Sequence, residues 1–87
     1  MKGLMFGPSM KPAMGMINFV SMELFDFIGV GDVVCFSRKN SLTRLIHRVI
    51  NIDSSGIVYI KGDNAREIDC VPLSMIYYKI IKFKKIL

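Results

Sequence analysis

Hydrophobic and polar residues alternate along much of this chain, which is the pattern of strands that bury one face. The clearest case is the segment LTRLIHRVINI at 42–52, where Leu45, His47 and Val49 share one face and the residues between them share the other. Three other segments are rich in β-branched and aromatic residues, which favours strands. These segments are residues 32–36, residues 75–83 and residues 17–25, the last of which has an end that could also form a short helix.

Turn residues separate the predicted strands. Asp-Ser-Ser-Gly at 53–56 predicts a turn, after which residues 57–61 return as the second strand of a hairpin. Residues 62–69 predict a polar loop, and residues 1–16, rich in Gly, Pro and Met, predict a loop whose apolar side chains line a surface. Helix signals are scarce. We therefore predict an all-β fold, a small coiled sheet or partly open barrel with little helix.

The length of 87 residues limits the chain to a single small domain, covering residues 1–87. The composition is 52% hydrophobic, more than so small a globule can bury, so some apolar surface should face a membrane, a partner or a substrate groove. No segment approaches the roughly 18 apolar residues that span a bilayer, and the N-terminus lacks the pattern of a signal peptide. We expect a cytoplasmic or peripheral membrane location.

The net charge of +5 points to acidic partners, either anionic lipid or nucleic acid. Four lysines fall in the last nine residues, at positions 79, 82, 84 and 85. Our preferred interpretation is a terminal strand whose lysines discourage edge pairing, and the alternative is a contact with anionic headgroups. Tyr77, Tyr78 and Phe83 interleave with these lysines, as a nucleic-acid binder would require. We nevertheless do not expect nucleic acid to be the partner.

Metal-ligand spacing is absent from the sequence. The chain has two cysteines, Cys35 and Cys70, and a single histidine, and it contains no Cys-x-x-Cys motif. We therefore expect no zinc site and no cofactor, and we expect each cysteine to pack as a small hydrophobe, although a disulfide stays open.

The chain holds the minimal set of residues for a serine–histidine–aspartate site: Ser9 in a Gly-Pro turn, His47, and the aspartates Asp63 and Asp69. Taken singly, each of these is more often structural than catalytic. Together they suit nucleophilic catalysis, because a serine hydroxyl needs a nearby base to take its proton, and the base needs a third group to fix its tautomer.

Four segments occur in an order that resembles a known family. They are GPSMKP (7–12), GVGDVVCF (29–36), HRVI (47–50) and KGDNAREID (61–69), and they resemble the successive boxes of type I signal peptidases of the archaeal and endoplasmic-reticulum type. In that family the Ser-Met-x-Pro box supplies the nucleophile. Bacterial and mitochondrial relatives have a lysine base before the Arg-Val box, whereas the archaeal and reticulum type has a histidine, the place of His47.

The resemblance implies a role for each candidate residue. Ser9 would be the nucleophile, with its own amide donating to the oxyanion, and His47 would be the general base. Asp69 would orient the imidazole, and Asp63 would hold the loop or share that role, although the two aspartates could be exchanged. The chain departs from the family at Gly7, where many relatives have a serine that assists the oxyanion. We also expect neither the transmembrane anchor that precedes the serine in membrane-bound relatives nor their extra substrate-binding domain.

The resemblance therefore implies a serine endopeptidase that cleaves signal or leader peptides. Its substrates would be extended peptides bound beside a sheet edge, with small side chains at the residue before the cut and two residues earlier. A peripheral membrane or membrane-protein partner would replace the missing anchor. The alternatives are a soluble maturation protease for one precursor and a non-catalytic module that binds peptide or nucleic acid. A self-cleaving repressor of the LexA type is disfavoured, since those use a lysine base.

Overall fold

The structure, a computed structural model covering residues 1–87, is mainly β, with 51% of the residues in strands and 3% in helix. Seven strands form one antiparallel sheet that curls into a half-barrel, so the predicted all-β fold is confirmed. The strands are β1 (Lys2–Phe6), β2 (Ile17–Glu23), β3 (Val33–Ser37), β4 (Arg44–Ile52), β5 (Val58–Lys61), β6 (Ile68–Val71) and β7 (Ile76–Lys85). A single helical turn, Leu73–Met75, precedes β7. No helix has the length and hydropathy needed to cross a bilayer.

The strand order in the sheet is β1-β2-β7-β3-β4-β5-β6, so β1 and β6 are the two edges. The last strand of the chain, β7, pairs with β2 on one side and with β3 on the other. The C-terminal strand is therefore not an edge over its first half, but β3 pairs only with Ile76, Tyr78 and Lys79, so Lys82, Lys84 and Lys85 lie in the part of β7 that pairs with β2 alone. Lys82 and Lys84 lie opposite Ser21 and Phe19 of β2, on a face of the sheet.

The prediction of a loop over residues 1–16 is wrong in its first part, because Lys2–Phe6 forms β1 and pairs along its whole length with β2. The rest of the segment connects β1 to β2. Its methionines do not all line a surface: Met10 and Met14 are fully buried beside Met5 and Val20. This cluster fixes the connection against the sheet, which positions Ser9 immediately before Met10.

A larger core cluster lies between β3 and the strands that follow it. Its buried members are Val34, Phe36, Val49, Val58, Ile60, Val71 and Ile76.

The β4–β5 hairpin confirms the predicted turn, in which Asp53 Oδ1 accepts hydrogen bonds from the backbone N–H groups of Ser55 and Ile57. Both cysteines are free; Cys35 is buried as predicted, whereas Cys70 is exposed.

Candidate active site

The fold brings Ser9 and His47 into contact, although they are 38 residues apart in the chain. Ser9 lies in the connection after β1, and His47 lies on β4 opposite Val34 of β3. The distance between Ser9 Oγ and His47 Nε2 is 3.0 Å, which is a hydrogen bond. This is the contact that a serine nucleophile and its general base require.

His47 is 6% exposed, and its ring packs at a tilt against Phe36, with 5.9 Å between ring centroids. Burial lowers the pKa of His47 below its ordinary value because it disfavours the charged imidazolium. The Asp69 carboxylate opposes this shift most strongly among the nearby charges, and Arg38 adds to it. The imidazole is therefore neutral at pH 7, as a proton acceptor must be.

A neutral His47 that accepts the Ser9 proton at Nε2 must carry its own hydrogen on Nδ1. That Nδ1 atom is buried and makes no hydrogen bond within the protein. An unpaired buried donor costs about 1–3 kcal/mol. The position opposite Nδ1 is where a triad acid belongs.

Both predicted acids are engaged by arginines instead. Asp69 accepts two hydrogen bonds from Arg38, from Nε at 2.7 Å and from Nη2 at 3.2 Å. Asp63 accepts two from Arg48, from Nε at 2.8 Å and from Nη2 at 2.9 Å, and these bonds hold the pKa of Asp63 below its usual range. The predicted contact between an aspartate and His47 is thus not made in this structure.

The Gly-Asp-Asn segment holds the serine loop through its backbone and its amide side chain. The Asn64 N–H donates to the Ser9 carbonyl at 2.7 Å, and Asn64 Nδ2 donates to the Pro8 carbonyl at 3.2 Å. The Asp63 N–H donates to Met10 Sδ at 3.4 Å. The contacts to the serine loop thus come from Asn64 and from the Asp63 backbone, whereas the Asp63 carboxylate binds Arg48. The sequence gives no local signal for this role of Asn64, because Gly-Asp-Asn is a common turn tripeptide whatever it contacts.

Gly62 is required by the close approach of the serine loop and β4. A Cβ at this position would lie 2.7 Å from the Ser9 carbonyl oxygen, 3.0 Å from His47 Nε2 and 3.1 Å from Ala65 Cβ. Any side chain here would therefore displace Ser9, His47 or both. The sequence analysis did not single out Gly62, although a glycine at the start of Gly-Asp-Asn is the residue that permits such a close approach.

The departure at Gly7 has a conformational reason. Gly7 has a φ of +108°, which a serine would rarely adopt, and its N–H donates to the Met16 carbonyl at 2.8 Å to close the loop. The N–H of Ser9 donates to no group within the protein. The Ser9 N–H, which is the predicted donor to the oxyanion, therefore has no hydrogen-bond acceptor within the protein.

An apolar groove of about 390 Å³ lies along β1. Nine of its ten lining residues are hydrophobic, and they include Phe6, the last residue of β1, and Ile46, the residue before His47. Neither Ser9 nor His47 lines the groove, and Ile46 points to the opposite face of β4 from His47. The size and lining of the groove suit apolar side chains of a bound chain.

No group of three or more His, Cys, Asp and Glu side chains is arranged to hold a metal ion. No family model matches the chain, and comparisons with curated proteins and with solved structures find no significant match.

Proposed function

We propose that this chain is a serine endopeptidase of the signal-peptidase type that cleaves signal or leader peptides. The observation that supports this most directly is the 3.0 Å hydrogen bond between Ser9 Oγ and the buried His47 Nε2. The burial of His47 adds support, because it lowers the pKa of the imidazole and so favours the neutral form that accepts a proton.

In the proposed reaction, His47 Nε2 takes the proton of Ser9 as Oγ attacks the peptide carbonyl carbon. The developing oxyanion accepts a hydrogen bond from the Ser9 N–H. His47 then returns the proton to the leaving amine, and the acyl group stays on Ser9. Water, deprotonated by His47, releases the second product and restores the serine.

The edge strand β1 offers a binding mode for the substrate. Its outer side has no partner strand, and it ends at Phe6, three residues before Ser9. An extended peptide that pairs with this edge would run toward Ser9 and would place its side chains in the adjoining apolar groove. A maturation protease for one precursor would use the same site and would differ only in the range of peptides that it accepts.

The test is covalent labelling of the folded protein by a fluorophosphonate, followed by mass spectrometry and by cleavage of a signal-peptide reporter. We expect one adduct, on Ser9, with reporter cleavage. Ser9→Ala should lose both, and Ser54→Ala, which alters an exposed turn serine, should lose neither. A folded wild type that takes no label and cleaves no reporter would contradict the proposal and favour a binding module.

The rate should depend on pH through His47. Only the neutral imidazole accepts a proton, so kcat/KM should rise with pH through the His47 pKa, which burial places below its ordinary 6.5. We expect full activity at pH 7 and a fall only on the acid side of pH 6.5. The measurement is a pH–rate profile for reporter cleavage. A midpoint above 6.5 would contradict the assignment of His47 as the base.

We also propose that one face of β1, β2 and β7 docks on anionic lipid. Cross-strand pairing aligns Lys2, Ser21 and Lys82 in one row, and Leu4, Phe19 and Lys84 in the next, with Phe6 beyond. The side chains of Leu4, Phe6 and Phe19 are 52–67% exposed. Apolar groups bordered by lysines fit the interface of a negatively charged bilayer, whereas two copies of this face would repel each other.

Sedimentation with vesicles tests this docking. We expect the protein to bind phosphatidylcholine vesicles that contain phosphatidylglycerol, and Lys2→Gln, Lys82→Gln and Lys84→Gln together should weaken binding about ten-fold or more. Leu42→Ser is the control, because Leu42 is 99% exposed and lies outside the face. Equal binding to vesicles of phosphatidylcholine alone, or binding to an oligonucleotide in place of lipid, would refute the docking face.

A further inference from the structure

The imidazole of His47 has a nitrogen without a hydrogen-bond partner, and the carboxylate of Asp69 is bound by an arginine. His47 Nδ1 is buried and unpaired, while both carboxylate oxygens of Asp69 accept hydrogen bonds from Arg38. The charges of Asp69 and Arg38 both act on His47, in opposite directions. Asp69 is thus close enough for its charge to act on His47, while Arg38 holds both of its carboxylate oxygens.

Strand register places Asp69 on the same sheet face as His47. Asp69 of β6 pairs with Ile60 of β5, and Ile60 pairs with Val49 of β4. Val49 lies two residues after His47, so the two side chains point to one side of the strand. Asp69 thus faces the side of the sheet on which His47 lacks an acceptor.

We propose that Arg38 is a positioning residue that holds Asp69 away from His47 Nδ1 in the resting site. The competent arrangement forms when Asp69 exchanges its Arg38 contacts for the Nδ1–H of His47. The effect of this exchange on cleavage rests on the proposed function, whereas the exchange itself is a property of the three side chains.

Arg38 has another partner when Asp69 leaves it. The Arg38 side chain is 45% exposed, so water solvates its guanidinium when Asp69 leaves. Proton transfer from Ser9 makes His47 an imidazolium, which attracts the carboxylate more strongly than the neutral ring does. The competent arrangement is therefore favoured at the point in the reaction where it is needed.

The other charged groups that act on His47 are Lys61 and Asp63. Lys61 Nζ donates to the Gly62 carbonyl, and Asp63 is bound at both oxygens by Arg48. The Arg48 guanidinium is itself fixed by a hydrogen bond from Nη1 to the Gly31 carbonyl at 2.9 Å, whereas the Arg38 guanidinium makes hydrogen bonds only to Asp69. Asp69 is thus the acid that can be released.

His47 is the only histidine, so its titration can be followed by NMR without assignment of other imidazoles. In Arg38→Gln we expect the His47 pKa to rise by about one unit or more, since a positive charge is removed and Asp69 is freed. A far-downfield Nδ1–H resonance should appear as well. Both changes should be absent from Arg66→Gln, which removes an exposed arginine that does not act on His47.

The double variant Arg38→Gln/Asp69→Asn separates release of Asp69 from simple loss of charge. We expect it to lose the downfield resonance and most of the pKa rise. If the double variant titrates like Arg38→Gln, or if Arg38→Gln titrates like wild type, Arg38 does not restrain Asp69 and the proposal is wrong.

Cleavage kinetics give an independent check. We expect Arg38→Gln to raise kcat about five-fold at pH 7 with KM unchanged, in keeping with the small free energy of a partly exposed ion pair. If no variant cleaves the reporter but the NMR changes occur, the proposed function fails and the positioning role of Arg38 stands. If wild type cleaves and Arg38→Gln changes neither the pKa nor kcat, only the positioning role fails.

Discussion

Replacement of His47 by alanine is expected to lower kcat for reporter cleavage by about 10⁴–10⁶-fold, the range found when a serine peptidase loses its base. The reason is the single hydrogen bond at 3.0 Å between His47 Nε2 and Ser9 Oγ, which is the only contact that a base makes with the nucleophile. KM should change little, because the imidazole acts on the serine and does not hold the peptide. Steady-state kinetics of the purified variant measure both constants.

Two further variants make this result interpretable. His47→Gln keeps most of the side-chain volume against Phe36, so its fold should survive even if the cavity left by alanine disturbs it. Lys61→Met tests whether a lysine is the base, since Lys61 is a charged group that acts on His47. We expect His47→Gln to be as inactive as His47→Ala, and Lys61→Met to stay within a few-fold of wild type. The opposite pattern would assign the base to Lys61.

The strands that the sequence predicted well are those with strong local patterns. Strand β4 alternates over nine residues, and a four-residue polar turn joins it to β5. Strand β1 was missed because Gly and Met give Lys2–Phe6 little intrinsic strand preference. Its pairing with β2 is what makes this segment a strand. The central position of β7 was likewise missed, because strand order depends on long-range pairing that local alternation does not encode.

The candidate site was predictable to the extent that residue types and their order indicate chemistry. The pairing of Ser9 with His47 followed from the inventory and from the family resemblance, and the structure places the two in contact. The partners of Asp63 and Asp69 could not be predicted, since Arg48 reaches Asp63 through the register of β4 with β5, and Arg38, which follows β3, reaches Asp69 of β6 across two intervening strands. The order of residues therefore does not tell which aspartate orients His47, because that depends on the geometry of the two ion pairs.

Replacement of Gly62 by alanine is expected to lower kcat/KM by about 10²-fold, because a shift of the serine loop by about 1 Å misplaces the nucleophile. The added Cβ would meet the Ser9 carbonyl oxygen at 2.7 Å and His47 Nε2 at 3.0 Å. The carbonyl is backbone, held by the Asn64 N–H, so it cannot move without the loop. We also expect the free energy of unfolding to fall by about 1–3 kcal/mol, as for other overpacked sites.

Gly29→Ala is the matched control, because its Cβ would meet nothing within 4 Å and its φ is not positive. It should leave the rate unchanged and the free energy of unfolding within about 0.5 kcal/mol of wild type. Chemical denaturation and reporter kinetics on both variants measure the two effects separately. If Gly62→Ala unfolds like wild type and cleaves at the wild-type rate, the serine loop does not depend on its contact with the Gly-Asp-Asn segment. If it loses stability but keeps its rate, that contact supports the fold and not the alignment of Ser9 with His47.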